Sequence, residues 1–122
     1  VHGSRGLGDV YKRQVVSNHG GRQLDGARSP FDQLADIVEA VGDRVDVICE
    51  GGIQRGTHML KALSLGAKAC AGGRLYLYAL AAAGQIGVEK ALSIYKTELE
   101  RDMKLMGCKK ISDLSTNNIK FK

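Results

Sequence analysis

Three short apolar runs, each followed by a polar, glycine-containing turn and then by a helical pattern, most constrain the fold of this chain. The runs begin near Val15, Val45 and Ala67. No two-residue turn of the hairpin type joins them. Strands that alternate with helices in this way pair in parallel, through right-handed crossovers. We therefore predict an α/β chain in which three strands form one sheet.

The predicted helices are marked by their first residues and by their apolar spacing. Ser29 and Pro30 are typical of the first turn of a helix, as cap and first helical residue. Thr57 is predicted to cap the second helix. The third helical stretch divides into an apolar helix over residues 75–83 and a longer amphipathic helix over residues 87–106.

A sheet of three parallel strands cannot close into a barrel, and it would leave its edges exposed. The 122 residues are enough for one small domain or for a piece of a larger one. We therefore expect the chain to be the end of a longer α/β protein.

Residues 1–14 do not fit the pattern of the rest. They contain three glycines and show no apolar period. The polar residues 12–14 would have to lie inside the first strand, which is unexpected in a buried parallel sheet. We predict that residues 1–14 are a non-native junction, such as an expression or assembly scar, and that the domain covers residues 15–122. A natural flexible lead-in is the alternative.

Composition excludes several classes of function. The net charge is +5, from 18 basic and 13 acidic residues, but the basic residues are scattered and Trp is absent. This argues against a nucleic-acid partner. No apolar run reaches the length of a membrane span. We expect a cytoplasmic protein, or one that rests on the inner face of a membrane.

Several other side chains are assigned structural roles. Cys49 and Cys70 lie in strand-like runs, and none of the three cysteines forms a CxxC pair, so buried free thiols are expected. His58 is predicted to face solvent at the start of the second helix. Tyr76 and Tyr78 are predicted to pack within the fold.

The first strand ends in a loop whose side chains suit proton transfer. His19 takes or gives a proton near neutral pH. Arg22 is a permanent planar cation that binds a carboxylate through two hydrogen bonds. Gly20 and Gly21 allow a sharp turn and a close approach of a ligand. A base beside a carboxylate clamp predicts an acid substrate that loses a proton.

Glycine-rich turns follow the other two strands, at residues 50–54 and 72–74. Each precedes a helix, whose first amides form a natural anion site. In (β/α)₈ barrels a phosphate commonly lies between the loops after strands seven and eight. Arg74 adds a charged donor. One such turn alone is more simply a helix cap, but two on adjacent strands beside His19 and Arg22 predict a phosphate-bearing cofactor.

Residues 17–25, with the sequence SNHGGRQLD, resemble the active-site signature of the FMN-dependent 2-hydroxy acid dehydrogenases and oxidases. That family includes L-lactate dehydrogenases, glycolate oxidase and the flavin domain of flavocytochrome b2. The similarity continues through Gly51-Gly52, residues 61–67 and Gly73-Arg74 to Gly107-Cys108. It covers essentially all of residues 15–122. The resemblance implies that the chain forms the last three strand–helix units of a TIM (β/α)₈ barrel.

The resemblance also implies roles for individual residues. His19 is similar to the base that takes the substrate proton, Arg22 to the residue that binds the substrate carboxylate, and Ser17 to a flavin-contacting position. The residues that resemble the FMN phosphate and ribityl site are Glu50, Gly51, Gly52, Ile53, Gln54, Gly73 and Arg74. The implied reaction is FMN-dependent oxidation of an L-2-hydroxy acid, L-lactate before others, to the 2-oxo acid.

Two positions depart from the family pattern. The family usually has Asp where Glu50 stands and Arg where Gln54 stands. Gln54 removes a cation from the phosphate region, so we expect weaker FMN binding that relies more on Arg74 and on backbone amides. The resemblance implies a homo-oligomer, and it leaves the electron acceptor open among oxygen, a quinone and a cytochrome.

Two alternatives to this function stay open. Another phosphate-binding TIM barrel with a different base predicts no flavin and no requirement for His19. A non-catalytic fragment is the second alternative, since an unclosed sheet is expected to aggregate or to stay partly unfolded. For that reason we expect no turnover from the isolated 122-residue chain.

Overall fold

The computed structural model describes residues 2–3 and 12–122. Its sheet has four strands, in the spatial order β1 (His2–Gly3), β2 (Arg13–Val16), β3 (Asp46–Glu50) and β4 (Ala69–Ala71). Strands β2, β3 and β4 are parallel, which confirms the predicted pairing. Strand β1 pairs antiparallel with β2, so the expectation of a purely parallel sheet is wrong at that edge.

The first strand starts earlier than predicted. Arg13 pairs with Asp46, and Gln14 with the next residue of β3, so both belong to the sheet. The prediction that residues 12–14 are excluded from the strand is therefore wrong for these two. The physical reason is their position, because Arg13 is exposed and Gln14 is only half-buried at the start of the strand. Of the predicted junction, residues 1 and 4–11 lie outside the described residues.

Each of the three parallel strands is followed by a helix: α1 (Pro30–Val41), α2 (Gly56–Ser64) and α3 (Arg74–Leu105). This confirms the three predicted strand–helix units. Helix α3 leaves helical geometry at Ala83 and Gly84, where the φ of Gly84 is 59°. The break lies where the sequence predicts the division between an apolar helix and a longer amphipathic one. Single 3₁₀ turns cover His19–Gly21, Ile111–Asp113 and Thr116–Asn118.

Helix α1 begins as predicted, and α2 does not. The Ser29 hydroxyl accepts a hydrogen bond from the backbone N–H of Asp32, at 3.1 Å, and Pro30 is the first helical residue. Helix α2 begins at Gly56, with no side-chain cap on Arg55 before it. The prediction of a Thr57 cap is therefore wrong.

Thr57 instead connects α2 to α3. Its hydroxyl lies 2.8 Å from Glu98 Oε1 and 2.6 Å from Asp102 Oδ2, and Arg55 Nε lies 2.9 Å from Glu98 Oε1. The hydrogen bonds from Thr57 lower the pKa of Glu98, against the effect of its burial, and the Arg55 cation lowers it further. The ionised Glu98 carboxylate therefore holds the start of α2 against the second half of α3.

Two clusters of buried side chains form the core. The larger one lies between the sheet and helices α1 and α2, and it contains Val16, Leu34, Val47, Cys49, Ile53, Ala62, Leu65 and Ala67. The smaller one joins α2, α3 and the tail through Leu60, Met103 and Leu114. In β3 the residues of this core alternate, because Val47 and Cys49 are buried and Ile48 between them is half-buried.

The cysteines of the sheet behave as unreactive thiols. Cys49 is buried, Cys70 is half-buried, and neither forms a disulfide. Burial raises the pKa of Cys49 to about 11 and that of Cys70 to about 12. The predicted free thiols are therefore confirmed, although Cys70 is less buried than expected.

The first half of α3 presents apolar side chains to solvent. Tyr76 is 45% exposed and Tyr78 is 65% exposed, so the prediction that they pack within the fold is wrong in this structure. The reason is that α3 follows β4, which is the edge strand of the sheet, and the polar contacts that join it to the start of α2 come from its second half. None of the helices described here has both the length and the apolar content needed to cross a membrane.

Candidate functional site

The carboxyl ends of the three parallel strands open onto a cleft of about 560 Å³. The cleft is lined by His19, Gly20 and Arg22 after β2, by residues 50–54 at the end of β3 and in the turn that follows it, and by residues 72–77 after β4. It therefore brings together all the predicted site residues except Ser17. Loops at this end of a parallel sheet are where ligands bind in α/β proteins.

The loop after β2 turns sharply at three consecutive residues. His19, Gly20 and Gly21 have φ values of 53°, 68° and 83°. Glycine adopts this left-handed region without steric cost, whereas His19 is strained there. The Asn18 side chain caps the turn by accepting a hydrogen bond from the backbone N–H of Gly20, at 3.0 Å. The predicted sharp turn is confirmed, and it places His19 at the cleft.

A neighbouring amide contacts the His19 ring. His19 Nδ1 lies 3.1 Å from Gln23 Oε1. An amide oxygen only accepts hydrogen bonds, so in the neutral ring that donates to it from Nδ1, the lone pair lies on Nε2. This arrangement suits a general base whose reactive atom is Nε2. The sequence interpretation missed Gln23, although its position four residues after His19 was a usable signal.

Ser17 lies behind the cleft and connects two of its loops. Its hydroxyl donates a hydrogen bond to the Glu50 carboxylate and accepts one from the backbone N–H of His19, at 3.1 Å. Ser17 therefore holds the end of β3 and the start of the His19 turn together. Its contact with a flavin stays a prediction.

The start of α3 is suited to an anion. It begins at Arg74, after Gly73, with no side-chain cap and no acidic residue in its first turn. Its first amides and the positive end of its dipole are therefore left for a ligand. A Cβ atom added to Gly52 or to Gly73 would meet no atom within 4 Å, so there is open space beside both turns. This set of donors fits a phosphate group.

Arg74 connects the turn at residues 72–74 to the His19 loop. Its Nη2 donates a hydrogen bond to the carbonyl oxygen of Gly20, at 3.4 Å. Its guanidinium lies so close to Gly20 that an added Cβ atom would overlap it. A larger residue at position 20 would displace the flexible end of the Arg74 side chain, so glycine preserves this contact between the loop after β2 and the start of α3.

The turn after β3 has a feature that the sequence interpretation missed. The backbone N–H of Gln54 donates a hydrogen bond to His58 Nδ1, at 3.2 Å, and His58 is half-buried. The prediction that His58 faces solvent is therefore wrong, because its ring closes the turn onto α2. Arg55 does not replace the cation absent at Gln54, since it is paired with Glu98 and does not line the cleft.

Comparison with known proteins agrees with this geometry. The FMN-dependent dehydrogenase family model matches residues 12–121. The chain belongs to this family. The match confirms the family predicted from residues 17–25, and it confirms FMN as the cofactor of that family. It includes Arg13 and Gln14, which the structure places in β2.

Similar proteins with assigned activities cover most of this chain. An L-lactate oxidase from Nostoc sp. is 48% identical over 106 residues, which are 87% of this chain and 29% of the oxidase. An L-lactate dehydrogenase (cytochrome) from Wickerhamomyces anomalus is 43% identical over 119 residues, 93% of this chain and 20% of the dehydrogenase. The chain thus spans less than a third of the length of these relatives.

Solved structures give the same relationship. The recombinant flavin-binding domain of baker's yeast flavocytochrome b2 is 45% identical, with a TM-score of 0.82 over 88% of this chain and 28% of that one. A soluble mutant of the membrane-associated (S)-mandelate dehydrogenase from Pseudomonas putida is 42% identical, with a TM-score of 0.82 over 87% of this chain and 30% of that one. The α/β arrangement of the described residues is therefore that of the family.

Proposed function

We propose that this chain is the C-terminal part of a (β/α)₈-barrel enzyme that uses FMN to oxidise an L-2-hydroxy acid, with L-lactate as the first candidate, to the 2-oxo acid. One observation carries the proposal. His19 and Arg22 line the same cleft as two glycine turns that fit a phosphate. Family membership and the similarity to an L-lactate oxidase support it.

The substrate class follows from two roles proposed for one loop, carboxylate binding by Arg22 and proton transfer by His19. A 2-hydroxy acid carries its hydroxyl group on the carbon next to its carboxylate. Arg22 binds the carboxylate, and His19, three residues earlier, takes a proton from the substrate at Nε2. Oxidation of the hydroxyl carbon to a ketone releases two electrons, and FMN, when bound, is their acceptor.

Four features of this chain are assigned to the cofactor. The glycine turn of residues 51–52, the first amides of α3 and the Arg74 guanidinium hold the phosphate. Glu50, Ile53, Gln54 and Gly73 line the same side of the cleft. The remaining barrel strands supply the other wall of the flavin site. The final electron acceptor is open among oxygen, a quinone and a cytochrome, and we propose a homo-oligomer for the complete protein.

The proposal is tested on the complete protein that contains this chain. We expect the purified protein to show flavin absorbance, and we expect L-lactate, but not D-lactate, to bleach it under anaerobic conditions. A protein without flavin absorbance, even after incubation with FMN, would favour a different phosphate-binding barrel enzyme. Bound flavin that no L-2-hydroxy acid reduces would contradict the proposed substrate class.

Position 54 allows a direct test of the phosphate assignment. Replacing Gln54 with Arg restores the cation that the family usually has, beside an anion site that Arg55 does not serve. We expect roughly tenfold tighter FMN binding, because a hydrogen bond to a charged group contributes about 1.5 kcal/mol or more. The measurement is the FMN dissociation constant of the apoprotein, by quenching of flavin fluorescence.

The matched variant is Gln54→Glu, which keeps the side-chain length of Gln and carries a charge opposite to that of Arg. It is expected to weaken FMN binding at unchanged protein stability. Equal dissociation constants for the Arg, Gln and Glu proteins would show that the phosphate lies elsewhere.

A further inference from the structure

The turn after β3 leads into a helix whose start has no capping side chain. Gly51 and Gly52 have φ values of 110° and 72°, so this backbone reverses direction in a region that glycine favours. Helix α2 then begins without a side-chain cap, and Arg55 is directed to α3. The end of the turn therefore depends on a different contact.

That contact is the hydrogen bond from the backbone N–H of Gln54 to His58 Nδ1, at 3.2 Å. The bond spans four residues and closes the turn onto the first turn of α2. It requires a ring with an unprotonated Nδ1, so the hydrogen lies on Nε2. His58 is half-buried, and it does not line the cleft. It therefore acts on the cleft only through the backbone of Gln54.

We propose that His58 is a positioning residue for the FMN phosphate, and this inference rests on the proposed function. By accepting the Gln54 N–H, its ring fixes the exit of the turn and so fixes where Gly51, Gly52 and Ile53 face the cleft. An anion held by backbone amides is sensitive to the direction of those amides, because hydrogen bonds weaken steeply away from linearity. The sensitivity is greater here because neutral Gln54 contributes no long-range attraction to the phosphate.

The test compares three proteins with different acceptors at position 58. His58→Ala removes the acceptor. His58→Asn places an amide oxygen the same number of bonds from the backbone as Nδ1, so it can accept the same hydrogen bond. The complete protein is prepared as the apoprotein, and the FMN dissociation constant is measured by fluorescence quenching. We expect about tenfold weaker binding for His58→Ala and binding within twofold of wild type for His58→Asn.

A second measurement does not depend on flavin. Hydrogen exchange of the Gln54 amide in the apoprotein reports the bond directly, and we expect it to be at least fivefold faster in His58→Ala than in wild type or His58→Asn. The rate of flavin reduction at saturating FMN and substrate is expected to be the same in all three proteins.

The outcomes separate this inference from the function on which it rests. Wild-type apoprotein that fails to bind FMN would overturn the proposed function, and the inference with it. Wild-type binding with equal affinity in His58→Ala would overturn the inference alone, and so would an Asn variant as weak as the Ala variant. Unchanged exchange of the Gln54 amide in His58→Ala would also overturn it.

Discussion

Replacing His19 with Gln is expected to lower the rate of flavin reduction by L-lactate by about 10²–10⁴-fold, with FMN still bound. Gln is close to His in size but cannot take a proton. The structure places His19 at the cleft, with its Nδ1 3.1 Å from the Gln23 amide oxygen. The measurement is anaerobic stopped-flow bleaching of the flavin in the complete protein, at several L-lactate concentrations.

The neighbouring cation provides the matched comparison for this prediction. Arg22→Lys keeps the positive charge and removes only the two-point geometry, so we expect it to raise the L-lactate concentration at half-maximal rate by roughly tenfold. His19→Gln acts on the limiting rate instead. If the Gln protein bleaches as fast as wild type, His19 is not the base, and the proton goes to a group outside this chain.

The sequence predicts most of the site because the residues of each loop lie directly after a strand in the sequence. Each loop follows its strand directly, and parallel strands bring their carboxyl ends to one edge. The sequence therefore predicts that His19, Arg22 and the turn at residues 72–74 line a common cleft. The strand–helix order and the Ser29-Pro30 start of α1 are local in the same sense, and the structure confirms them.

The errors concern residues whose partners lie far along the chain or outside it. The sequence predicts that Thr57 caps a helix, but its hydroxyl donates a hydrogen bond to Glu98, 41 residues later. Tyr76 reads as core, but it is exposed because the sheet ends at β4. Arg13 is predicted to lie outside the first strand because it is charged, but it belongs to β2, whose start is exposed. Apolar pattern and capping preference carry no information about which tertiary surfaces are present.

Gly56 also depends on a contact far along the chain, and a mutation can test that contact. A Cβ atom at this position would lie 2.5 Å from the carbonyl oxygen of Tyr95 and 2.6 Å from the backbone nitrogen of Leu99. Both atoms belong to the backbone of α3, so they cannot rotate away as a side chain can. Only glycine allows α2 and α3 to approach this closely, and the contact of Thr57 with Glu98 depends on that approach.

Gly56→Ala is therefore expected to lower the free energy of unfolding by about 3 kcal/mol, at the upper end for an overpacked site. The matched control is Gly26→Ala, where the added Cβ atom meets no atom within 4 Å. That variant is expected to be as stable as wild type, or about 0.4–1 kcal/mol more stable, since Ala restricts the unfolded chain. Urea unfolding of the complete protein checks both. If Gly56→Ala unfolds at the wild-type urea concentration, α2 and α3 do not pack backbone to backbone at this position.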